Sequence, residues 1–149
     1  MRAALLPALM LAACTKTPAV DPAHVGVTIT GPGHAHVFIV ERATTEAAQA
    51  QGLMFRTDLK PDGGMLFWPY PAAGGGPKQA NIWMKDTPTP LDIVFIRADG
   101  TIAHVTENAA PMSEAISSSG EPVAAVLELV GGRASATGVR EADRVSWRH

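Results

Sequence analysis

Val25, Val27 and Ile29 are apolar, and Gly26 and Thr28 separate them. A period of two marks a strand with one face against a core. Gly31-Pro32-Gly33 predicts a turn and His34–Glu41 a second strand, so the pair reads as a hairpin. "TTEAAQAQGLM" changes the pattern to an alanine-rich helix. Thr44 or Thr45 can cap it, Glu46 sits in its first turn, and Gly52 ends it, where left-handed backbone is common. "GGMLFWPY" (63–70), "ANIWM" (80–84) and "LDIVFIRA" (91–98) then read as strands, with a glycine-rich loop over 71–79 and a proline-containing link, "KDTPTP", at 85–90. Asp99-Gly100 turns the chain into the strand 101–107. Residues 108–122 read as a loop, 123–130 as a buried strand, and 143–147 as a last short strand, with no internal repeat. The expected fold is α+β: a small, mostly antiparallel sheet or barrel-like roll with one short helix between strands 2 and 3.

The pattern before Val25 belongs to something else. "MRAALLPALMLAAC" offers Arg2, an apolar run from Ala3 to Ala13, and then Cys14. The run is too short for a helix spanning a ~30 Å hydrocarbon core, but it has the charged and apolar regions of an export signal. "LAAC" resembles a bacterial lipobox, whose small residues admit the peptidase and whose thiol accepts the lipid. Cys14 is the only cysteine, so the chain has neither a disulfide framework nor a thiolate metal site. The expected organisation is a lipoprotein-type signal over 1–13, a polar tether over 14–24, and a single domain over 25–149. It implies an exported protein held at the periplasmic face of the inner or outer membrane through lipidated Cys14.

Composition narrows the class of partner. A length of 149 residues suits one domain with a real core. A net charge of -2 gives no electrostatic grip on nucleic acid. Low aromatic content (5%) with 14 Gly and 12 Pro fits a loop-rich, mainly β chain rather than a helix bundle.

Two acids stand out against the apolar pattern. Asp92 lies between Leu91 and Ile93, and Glu128 between Leu127 and Leu129. A carboxylate there is costly unless something answers it. The candidate donors for Asp92 are Arg56, Lys85 and the amides of the 85–90 link, with the guanidinium favoured because it stays charged and can bind both oxygens. Glu128 could share the same cation. The expected arrangement is a partly buried network of Arg56 or Lys85 with Asp92 and Glu128 that fixes turns and strand order. The same network could instead line a ligand pocket.

The blocks "GLMFRTDLKPDGGMLF", "WMKDTPTPLDIVFIRADGTI" and "VLELVGG" resemble the signature of domain-of-unknown-function family 192, from about Val25 to Val145. The family pattern falls on Gly52, Arg56, Trp83, Lys85, Asp92 and Glu128, among others. Asp86 stands where many relatives have Asn. Ala142 stands where the family often has Gly before Asp143. The resemblance implies a compact, often exported α+β domain, and it implies no established reaction.

The candidate ligand-binding or polar-network residues are thus Arg56, Trp83, Lys85, Asp86, Asp92 and Glu128, with neither catalytic nor metal-ligating residues assigned and no cofactor. An apolar concavity walled by Trp83, Trp68 and Phe55 would suit a small molecule or another envelope protein, and this is the favoured role. An enzyme using Asp92, Glu128 and Lys85 is one alternative, because paired carboxyls can do acid–base work. A metal-handling protein is the other: His34 and His36 share a strand face, and His104 on another strand could join them, with Met54, Met65 or Met84 for a soft metal. The chain has no GxSxG, HExxH or phosphate-binding loop motif.

Overall fold

The computed structural model describes residues 23–148. The signal, Cys14 and nearly all of the tether lie outside that range. In chain order the elements are β1 (His24–Gly31), β2 (His34–Ala43), α1 (Glu46–Gln51), β3 (Gly64–Phe67), β4 (Lys78–Ile82), β5 (Leu91–Ile96), β6 (Ile102–Ala109), β7 (Ser117–Val123), β8 (Ala125–Val130), α2 (Arg133–Thr137) and β9 (Arg144–Trp147). The described residues are mostly β and broadly α+β, with two short helices among them.

Seven strands form one sheet in the order β6-β5-β8-β3-β2-β1-β9, and β4 pairs with β7 in a separate ribbon. All pairings are antiparallel except β2 with β3. The large sheet curls into a half-barrel, and a bridge between Thr101 and Arg144 draws its two ends together.

The curl gives the central strands two apolar faces. Val94, Ile96, Leu127 and Leu129 point to the inner core with Val27, Ile29 and Phe38. Ile93, Phe95 and Val126 point the other way, to a second core with Leu53, Met65, Phe67 and Met84. β5 is therefore buried at every position, which is why it reads as a continuous apolar run.

Three expectations are corrected here. Residues 117–122, read as loop, belong to β7: Ala80 N donates to Ser119 Oγ at 2.9 Å and Gln79 bonds Ser118, so a polar strand is held by its partner ribbon. β4 begins at Lys78, earlier than the apolar residues suggest. His24 opens β1 opposite Glu41 instead of closing the tether. The second helix was also not expected. α2 is only five residues long and has no side-chain cap of its own; the Asp92 carboxylate on β5 accepts from Ala134 N at its start. A tertiary cap of this kind leaves no local signature. Among the described residues no helix is long and apolar enough to cross a membrane.

Candidate functional site

Glu128 is where the sequence and the packing disagree most. It projects from β8 on the same face as Val126, between Met65 of β3 and Ile93 of β5, its partners in register. The residue is only 4% exposed, and Oε2 is buried with no hydrogen-bond partner among the described residues. Nothing offsets its desolvation, so burial alone pushes the carboxyl up to about 8, and it is protonated at neutral pH.

Above Glu128 lies a cleft of about 370 Å³. Its walls are α1 with its exit, the 70–73 turn, and the end of β4 running into Trp83. Gln49 builds much of this wall: its side-chain amide donates to the carbonyls of Ala43 and Pro69 and accepts from Ala72 N at 3.0 Å. Phe67, Tyr70 and Trp83 supply the aromatic surface, and Asn81 and Thr87 add polar groups. Burial also raises the Tyr70 phenol above its usual range.

Gly52 opens the way to the carboxyl. Its backbone donates to Ala48 O to close α1, at φ 51° and ψ -133°. That is positive φ but not the left-handed helical conformation expected of a helix exit, and glycine reaches it without steric cost. A Cβ there would stand 3.1 Å from Phe67 Cζ and 3.5 Å from Glu128 Oε2. The absent side chain keeps Glu128 in contact with the cleft.

The expected network does not assemble. Asp92 is fully buried, but it answers to turn amides: Oδ1 accepts from Asn108 N at 2.8 Å and Gly132 N at 3.0 Å, and Oδ2 from Ala134 N at 2.7 Å. Those amides belong to the end of β6, to the Gly132 cap of α2 and to α2 itself, not to the 85–90 link. Arg56 instead pairs with Glu41 at 2.9 Å and Asp58 at 2.7 Å, which hold the guanidinium above its usual range. Lys85 lies 3.8 Å from Glu114 and 5.2 Å from the Trp83 ring centre. Asp86 takes φ 52°, a left-handed backbone that Asp and Asn tolerate better than most residues. The cause is register: Asp92 and Glu128 face opposite sides of the sheet, so no single cation on one side can reach both. The trio Asp92, Glu128 and Lys85 does not converge.

The other expectations fare unevenly. Trp83 lines the cleft, but Trp68 packs edge-on against Trp147 at 5.9 Å, and Phe55 is 71% exposed at φ 65°. The histidines stay apart. His34 meets Asp143 and His36 meets Asp62, each at 2.9 Å, while His104 meets Glu141 at 2.8 Å. Among the described residues no three His, Cys, Asp or Glu side chains gather as metal ligands. Sequence reasoning missed Gln49, Tyr70 and Asn81. Only the "WPYP" block hinted at Tyr70, and a lone glutamine in a short alanine-rich helix carries no signal.

The comparisons with known proteins agree with this architecture. The family model DUF192, described as "Uncharacterized ACR", matches residues 27–147. No curated protein matches the chain. Among solved structures, a candidate transcription regulator from Sinorhizobium meliloti 1021 is 44% identical with a TM-score of 0.77, covering 84% of this chain and 94% of its own. A protein of unknown function from Novosphingobium aromaticivorans DSM 12444 is 40% identical with a TM-score of 0.79, covering 95% of this chain and 100% of its own.

Proposed function

The chain belongs to the DUF192 family, and on that premise we propose that it is an envelope-anchored binding domain whose Glu128 cleft holds a small molecule. The observation that carries this reading is the carboxyl itself. A buried polar group without a partner costs free energy, and Glu128 is placed where a bound molecule could satisfy it, under a glycine that leaves it reachable. Aromatic walls with a few convergent polar groups are the usual make-up of a small-molecule site. Anchoring rests on the lipobox-like "LAAC" and the polar stretch after it. The helix at 46–51, with Gly52 at its exit, forms one wall of the cleft in this reading.

DNA binding, suggested by the description of the Sinorhizobium meliloti relative, draws no support from a net charge of -2. An enzyme built on the cleft would need a second acid or base at the reacting centre. Of the other buried acids, Asp92 is on the opposite side of the sheet and Asp143 is paired with His34; among the described residues the cleft's other carboxyl, Glu46, is exposed on α1.

The binding reading is tested by protein-observed NMR against a set of small hydrogen-bonding fragments. Shifts are expected at Gly52, Leu53, Phe67, Ile82 and Trp83 and lost in Gly52→Val. Fragments that bind only elsewhere, or equally well to the variant, would refute it. The anchor is tested separately by membrane fractionation of the wild type and Cys14→Ser. Equal solubility without lipidation of either would remove the anchor and leave the cleft untouched.

A further inference from the structure

We infer that the Glu128 cleft takes an organic cation, an alkylammonium or alkylguanidinium, whose charge is matched by the Glu128 carboxylate on binding. The inference rests on the cleft being a binding site and adds the chemistry of its occupant.

The charge of the lining sets the sign. Among the described residues, Glu46 and Glu128 are its two acids, and no Lys, Arg or His contributes to it. The nearby cations are already engaged, Arg56 by Glu41 and Asp58 and Lys85 by Glu114 and the Trp83 ring. An anion would meet two acids and no counter-charge, and burying it unpaired is prohibitive. A cation finds a carboxyl that can take a charge-assisted hydrogen bond from it and aromatic side chains in Phe67 and Tyr70 that stabilise positive charge.

The neighbours of Glu128 leave it free for this role. Met65 of β3 and Ile93 of β5 lie beside it in register, and the cleft it faces is also lined by Phe67 of β3, Glu46 of α1, Asn81 of β4, Tyr70 and Thr87. Among the described residues these include one further acid and a phenol, but no base. When the cation enters, the Glu128 O–H bond ionises, its proton passes to solvent, and the carboxylate left behind pairs with the ligand. A neutral ligand has no reason to displace that proton.

Isothermal titration of the full chain with butylguanidinium, butylammonium and the neutral isostere butylurea tests the inference, run in buffers of different ionisation enthalpy. The cations are expected to bind at pH 7 with release of close to one proton, because a carboxyl with a pKa of about 8 is mostly protonated there. Their affinity should rise about tenfold between pH 7 and pH 9 as Glu128 ionises by itself. Glu128→Gln keeps the volume and removes the charge, so it should abolish both the proton release and the pH dependence; its melting temperature confirms folding. Glu128-dependent binding of butylurea, equal to or tighter than that of the cations, would overturn the cation while sparing the cleft as a binding site. Absence of binding by all three probes would overturn both.

Discussion

Asp92 lies opposite Leu129 and Glu128 opposite Ile93, so the two buried carboxyls of adjacent strands face opposite sides of one sheet. This offset of one residue decides their chemistry, because side chains alternate faces along a strand. Asp92 enters the inner core and receives three backbone N–H bonds. Glu128 enters the second core, where Oε2 receives none from the described residues. One acid is a clamp; the other is a group left waiting.

The clamp makes a stability prediction. Asp92→Asn keeps the shape but loses the charge and one acceptor oxygen, and should cost roughly 1–3 kcal/mol. Asp92→Ala strands three amides and should cost more. The Ala134 and Gly132 amides should lose hydrogen-exchange protection first, since Asp92 holds the start of α2. Lys85→Met should show no coupling to Asp92→Asn in a double-mutant cycle, because Lys85 faces Glu114. Coupling above about 1 kcal/mol would contradict this arrangement.

How far the sequence could be read follows from the same strands. The β1–β2 hairpin, the β5–β6 hairpin and the burial of Asp92 were legible, because period-two alternation and an Asp-Gly turn are local signals. The partner of Asp92 was not. Its amides lie 16, 40 and 42 residues away, and tertiary hydrogen bonds to backbone leave no mark on residue type. Glu128 was legible as an anomaly, but only register told which side it faced. β7 escaped because its serines and Gly120 lack the apolar alternation that identifies a strand.

Gly52 should resist replacement for two reasons. A β-branched residue would strain at φ 51° and would press on Phe67 and the Glu128 carboxyl. Gly52→Val should cost about 2–3 kcal/mol, measured by denaturant unfolding, and should close the cleft to small molecules. Gly52→Ala should fall between it and the wild type. Unchanged stability in both would show that neither the dihedral nor the close approach matters.

Ala142 offers the opposite test. It sits at φ 70°, a conformation that costs an L-residue roughly 1 kcal/mol or more. Ala142→Gly should therefore stabilise the fold by up to about 1 kcal/mol, less the entropy that glycine loses on folding. A destabilised variant would mean that the Ala142 methyl packs usefully.

The buried acid also shapes the pH dependence of stability. With a native pKa of about 8 and an ordinary unfolded value near 4.5, the folded state holds a proton that the unfolded state releases between those limits. Below pH 4.5 both states hold the proton, so the ionisation of Glu128 adds no penalty there. Stability should fall by about 1.4 kcal/mol per pH unit as pH rises towards 8, and level off above it. Asp62, whose carboxyl is lowered by Arg133 and His36, acts below the usual Asp range and leaves this window unaffected. Urea unfolding at pH 5 and pH 7 should show the slope in the wild type and its loss in Glu128→Gln.

Direct titration of Glu128 tests the account most sharply. The chain can be labelled with ¹³C at the glutamate side-chain carboxyl, and the resonance assigned by its absence in Glu128→Gln. It should titrate with a midpoint near 8, well apart from the other glutamates. A midpoint in the ordinary range near 4.5 would show that water or a protein group already satisfies the carboxyl, and would contradict the claim that it waits for a ligand.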